Sequence, residues 1–102
     1  MIEKNSAQKL AIKDIYDRLY GHICDYDDTP LDFVLLEEKT LKKNYGWIFF
    51  FNTKRFIETG DRMLALAGNG PLIVLHSGEL ISLGAAIPSL DAILKFEKER
   101  DL

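Results

Sequence analysis

The chain predicts an α+β domain: a mostly antiparallel four-stranded sheet flanked by an N-terminal and a C-terminal helix, with a short helix between the central strands. Three observations predict it. Apolar residues recur at helical spacing near the start of the chain and again near its end. Between them lie short runs rich in aromatic and β-branched residues, the composition of strands. The connections between those runs are short enough for hairpins, which makes neighbouring strands antiparallel. At 102 residues the chain is one domain, residues 1–102.

The first helix is predicted from Ala7, Ala11, Ile15, Leu19 and Ile23, with Ile12, Tyr16 and Tyr20 widening the stripe. Ser6 is the predicted N-cap, and the Asp and Pro cluster of residues 25–30 stops the helix. Residues 31–38 read as the first strand and residues 39–44 as a polar loop. Residues 45–52 form the second strand, and residues 53–58 continue as an irregular or edge segment. Asp61 caps a short helix over residues 62–67, which Gly68 closes. Residues 72–76 and 79–83 form a hairpin around Ser77-Gly78, read as a two-residue loop. Pro88 opens the last helix, with Leu90, Ile93, Leu94 and Phe96 directed inward.

Composition narrows the function. The hydrophobic and charged fractions, 47% and 28%, are those of an ordinary globular protein. A net charge of −3 with interspersed signs argues against nucleic acid, which demands a basic face. One cysteine, Cys24, allows no internal disulfide. The first residues lack the apolar core of a signal peptide, and the apolar runs are too short to span a bilayer. The expectation is a cytoplasmic protein with no membrane contact.

The strand at 45–52 carries Tyr45, Trp47, Phe49 and Phe51 on one parity and Ile48 and Phe50 on the other. A strand apolar on both faces must be covered on both. If the two long helices share one face, the other is open, and Trp47 becomes the centre of an interface with a partner protein or with a second copy of the chain in a homodimer. The alternative is one helix on each face, or residues 62–67 folded over the second.

No residue set carries catalysis. Cys24 with His22 or His76 lacks a nucleophile signature and reads as a structural cysteine. Two histidines and a cysteine have no zinc-ligand spacing. Gly68-Asn69-Gly70 lacks the lysine and long helix of a phosphate loop. Asp25, Asp27, Asp28 and Asp32 miss the register of a calcium loop and read as a solvated acidic loop, suited to a basic partner. No cofactor or metal is expected.

Three segments resemble a known family: Gly46-Trp47-Ile48-Phe49-Phe50, then Glu58-Thr59-Gly60-Asp61, then residues 66–74 from Leu66 through Gly68-Asn69-Gly70-Pro71 to Val74. With the Ser77-Gly78-Glu79 turn and the helix entered through Pro88, their order and spacing are similar to the bacterial immunity protein 35 family, small proteins encoded beside polymorphic toxins. The resemblance implies a non-enzymatic protein that binds and neutralises a cognate toxin. It also admits a chaperone-like holdase role, since one relative is described as heat-stable and chaperone-like. A toxin interface needs aromatic anchors and a charged rim. Tyr45 and Trp47 are the anchor candidates, and Asp27, Asp28, Glu37 and Glu38 the rim candidates.

Overall fold

The computed structural model describes residues 1–66 and 69–102. In chain order the elements are α1 (Lys4–Leu19), β1 (Phe33–Leu35), β2 (Leu41–Lys43), β3 (Gly46–Phe49), β4 (Phe51–Thr53), α2 (Lys54–Thr59), β5 (Asn69–Leu75), β6 (Leu80–Gly84) and α3 (Ser89–Glu99). The main sheet has the order β2-β3-β5-β6, all antiparallel. β1 and β4 form a separate antiparallel pair. The α+β class, the flanking helices and the short helix between strands are as the sequence predicts.

The helices lie on opposite faces of the sheet, the alternative of one helix on each face. Ala7, Ala11 and Ile15 of α1 pack with Phe33, Phe49, Phe51, Leu72 and Val74. Ile93 and Phe96 of α3 pack with Tyr45, Ile48 and Ile73. The cause is the period of two along β3 and β5. Trp47 pairs with Val74 and Phe49 with Leu72 toward α1, while Ile48 pairs with Ile73 toward α3. Phe49, Ile48, Leu72, Ile73 and Val74 are all fully buried. Among the described residues, both faces of the β3–β5 pair are covered, so Trp47 does not centre an open face.

Two glycines let the central backbones meet. A Cβ on Gly46 would stand 2.0 Å from the Val74 carbonyl oxygen, and one on Gly70 the same distance from that of Leu83. Any side chain at either position would push the strands apart.

The strand predicted at 45–52 serves two sheets. Its first half pairs with β2 and β5, and its second half, as β4, pairs with β1. The predicted first strand shortens to Phe33–Leu35, and residues 37–39 form a 3₁₀ turn instead. The predicted loop before Asn44 contains β2, an edge strand with only Leu41 apolar; lysines are what an edge strand uses to repel further pairing. The segment at 53–58 is mostly helix α2, because the Thr53 hydroxyl accepts from the Phe56 amide and caps it. Asp61 caps as expected, accepting from Met63 N–H, but it starts a 3₁₀ turn over Arg62–Leu64 rather than a longer helix. Closure by Gly68 lies outside the described residues.

Three local details also differ. Glu3, not Ser6, occupies the cap position of α1, and the helix ends before Ile23 because Gly21 takes a φ of +90°. The hairpin is not a two-residue loop: Gly78 N–H donates to the Leu75 carbonyl and Leu75 N–H to the Glu79 carbonyl. With Gly78 alone in the left-handed region, this is a three-residue turn with a glycine bulge. In α3, Leu90 and Leu94 point outward, 69% and 63% exposed, while Ala92, Ile93 and Phe96 face the sheet. Leu90 and Leu94 lie four apart and share a face, whereas Ile93 and Phe96 define the opposite one.

Gly46→Ala is expected to destabilise the fold by about 3 kcal/mol or prevent folding, as forced overpacking against backbone does. Ile93→Ala should cost about 3 kcal/mol and Leu94→Ala less than about 0.5 kcal/mol. Urea denaturation followed by circular dichroism checks all three; equal losses at 93 and 94 would contradict the register of α3.

Candidate functional site

The six residues singled out from sequence fall into three separate places. Tyr45 is in the α3 core, only 9% exposed, and tilts against Phe96 with ring centroids 5.8 Å apart. Its hydroxyl donates to Glu97 Oε2 at 2.6 Å, and Lys43 Nζ reaches the same oxygen at 3.1 Å. Burial first, and then the Glu97 carboxylate, push the Tyr45 phenol well above its usual value. The Tyr45 hydrogen bond first, and then Lys43, hold Glu97 below the usual carboxylate range. The triad fastens α3 to the β2–β3 hairpin.

Trp47 and Glu37 lie near the beginning of α1. The indole N–H of Trp47 donates to the Ile2 carbonyl at 3.1 Å, and Lys42 stands over its ring. Ile2 N–H donates to His76 Nδ1 at 3.1 Å, and His76 Nε2 lies 2.9 Å from the Asn44 carbonyl. Since Nδ1 accepts, the ring proton is on Nε2 and is donated to Asn44. His76 is half-buried and bound at both nitrogens. Trp47 is half-buried at the edge of the α1 core. Glu37 accepts from Lys4 and Gln8, and Lys4 draws its carboxyl below the ordinary value. Glu38 is exposed beside it.

Asp27 and Asp28 are at the other end of α1, about 20 Å away at 1.5 Å of rise per helical residue. They occupy the tip of the loop closed by the Cys24–Pro30 bridge, where Asp25 N–H donates to the Thr29 carbonyl and Leu31 N–H to that of Ile23. Asp28 holds a φ of +65°, which aspartate tolerates better than most residues. Thr29 hydrogen bonds keep the Asp27 carboxyl below its usual range. Cys24 is exposed, with its thiol 3.8 Å from the Gly21 carbonyl. Among the described residues, no group of three or more His, Cys, Asp or Glu side chains is placed to hold a metal ion.

Sequence reasoning missed a pair next to this loop. Tyr26 is 71% exposed and Met63 79% exposed. Asp61 joins them: one carboxylate oxygen accepts from the Tyr26 hydroxyl at 2.8 Å and the other from Met63 N–H at 3.0 Å. The signal in the sequence was a lone tyrosine among Asp25, Asp27 and Asp28.

The Tyr45–Glu97 bond gives a pH prediction. Glu97 is depressed in the folded state, so its contribution is present above about 4.5 and is lost as pH falls through the folded value. Tyr45 is raised, so its contribution is present below about 10 and is lost as pH rises further. The stability difference between the native chain and Tyr45→Phe should form a plateau between those limits and shrink on both sides. Thermal melts across pH 3–11 measure it; a pH-independent difference would contradict the coupling.

The chain is similar in sequence to known proteins. A family model described as immunity protein 35 matches residues 16–95. The protein YrhB of Escherichia coli (strain K12), described as uncharacterised, is 45% identical over 78 residues, covering 76% of this chain and 79% of YrhB. No solved structure matches. The stretch matched by the family model takes in the last turn of α1, every strand of both sheets and most of α3. The chain belongs to the immunity protein 35 family.

Proposed function

We propose that this chain is an immunity protein that binds and neutralises a cognate bacterial toxin through a protein–protein interface, stoichiometrically and without chemistry of its own. The observation that carries the reading is the family match across residues 16–95. The toxin belongs to a polymorphic toxin system, and the inhibitor meets it in the cytoplasm. Asp27 and Asp28, exposed at the tip of a tightly bonded loop, serve as steering charges for a basic toxin surface. Trp47 with Glu37 and Glu38 forms a second contact cluster, and Tyr45 supports the fold beneath it from the core.

One observation favours a second reading. Ile87, Leu90 and Leu94 present an apolar stripe on and just before the outer face of α3, 42%, 69% and 63% exposed. A holdase that binds exposed apolar segments of many clients would use such a stripe.

A tagged full chain drawn from its native lysate separates the two. The immunity reading expects one dominant partner at a fixed ratio, arresting growth when expressed alone and tolerated when co-expressed with this chain. Asp27→Asn with Asp28→Asn should slow association at low salt by about tenfold with little change in dissociation. A heterogeneous set of clients that grows on heating would overturn the immunity reading and support the holdase.

A further inference from the structure

We propose that the end of the molecule where Tyr26, Asp61 and Met63 meet is the docking face for a basic protein surface, with Tyr26 and Met63 as its anchors. The proposal rests on the immunity reading for the identity of the partner, but its geometry and charge are independent of it.

Three observations carry it. First, Tyr26 and Met63 are among the most exposed large side chains of the protein, and they come from segments far apart in sequence, the 25–32 loop and the turn after α2. Second, the Tyr26 ring is ordered rather than loose: Asp61 accepts from its hydroxyl with one carboxylate oxygen and from the Met63 backbone amide with the other, and so ties the ring to the turn that carries Met63 in the free protein. A side chain already ordered loses little entropy on binding, which is what distinguishes an anchor from an incidental exposed residue. Aromatic side chains and Met are also enriched at interface cores.

Third, charge selects the occupant. Residues 20–32 and 53–66 contain six carboxylates, Asp25, Asp27, Asp28, Asp32, Glu58 and Asp61, against the three cations Lys54, Arg55 and Arg62. The other ten acids of the chain balance its other ten bases, so the whole net charge of −3 belongs to this end. Arg55 pairs with Asp25 at 3.4 Å. None of the ion pairs among the described residues involves Asp27, Asp28, Asp32, Glu58 or Asp61. A groove of about 410 Å³ runs between the loop and α2, where the four carboxylates of Asp25, Asp27, Asp32 and Glu58 outnumber the two cations Lys54 and Arg55. The arrangement is an apolar centre within an acidic rim, and its complement is a basic surface with an apolar depression.

The test begins with the chain alone and a defined peptide. Isotope-labelled full chain is titrated with a short synthetic peptide alternating arginine with leucine, and amide shifts and affinity are read. The expected result is shifts confined to residues 25–32 and 58–64, and at least about tenfold weaker binding by Tyr26→Ala/Met63→Ala, which leaves every charge in place. Both positions are exposed, so the variant should fold; Met63→Leu with Tyr26 intact should keep near-native binding, while Tyr26→Phe, which loses the Asp61 bond, should bind between the native chain and the double alanine variant. Shifts elsewhere, no binding, or equal binding by the double alanine variant would overturn the proposal; equal binding would mean that the acids merely attract cations. The same double variant is then placed in the growth assay. Loss of protection supports the docking face. Full protection overturns it and leaves the immunity reading standing. Absence of any lethal partner defeats the immunity reading, and the peptide titration alone then decides the docking face.

Discussion

Everything in this structure depends on the close pairing of β3 with β5. Gly46 allows β3 to approach β5 where any Cβ would collide with the Val74 carbonyl oxygen, and Gly70 does the same for β5 against Leu83 of β6. That approach fixes the register, and the register sends Trp47, Phe49, Leu72 and Val74 to one side and Ile48 and Ile73 to the other. Two buried faces require two covers. The narrow stripe of alanines on α1 lets that helix sit close over the larger aromatic side, and α3 closes the smaller side with Ile93 and Phe96. A three-layer arrangement results from the alternation of a few residues in two strands.

The same constraint decides where recognition can occur. With both sheet faces occupied, Phe49 is fully enclosed, and Tyr45, just before β3, and Trp47 are each held by a hydrogen bond. Tyr45 is fixed to Glu97, and Trp47 to the Ile2 carbonyl. Beyond the half-buried edge of Trp47 beside Glu37 and Glu38, the surface within a partner's reach is built from loops and short helices, the elements that carry function in most rigid scaffolds. At one end of this molecule such a surface is acidic, ordered by its own hydrogen bonds, and topped by two exposed apolar side chains. An inhibitor that acts by occupying its target needs this kind of preformed patch, and it needs no reactive group.

The fold was largely legible because its signals are local and strong. The four-residue spacing of Ala7, Ala11 and Ile15, the aromatic run around Trp47 and the turn residues around Gly78 each declare an element on their own. The illegible features depend on contacts between distant segments. Whether α3 turns Leu94 or Ile93 inward cannot be read from a helix with apolar residues on both sides. β2 carries one apolar residue in three and is a strand only because β3 lies beside it. α2 hides in a segment whose cap, Thr53, reads equally well as a strand residue. The candidate site was less legible still. The acidic loop was visible as composition, but the Tyr26–Asp61–Met63 arrangement joins residues 35 apart through one carboxylate, and no periodicity marks it.

The most direct test of the account is hydrogen exchange of the free chain compared with its complex with the partner it captures. The account predicts new protection at amides of residues 25–32 and 58–64, with β3 and β5 slow in both states because they are already enclosed. New protection centred on residues 46–49 or on α3, with none at the acidic end, would contradict it and return recognition to the sheet.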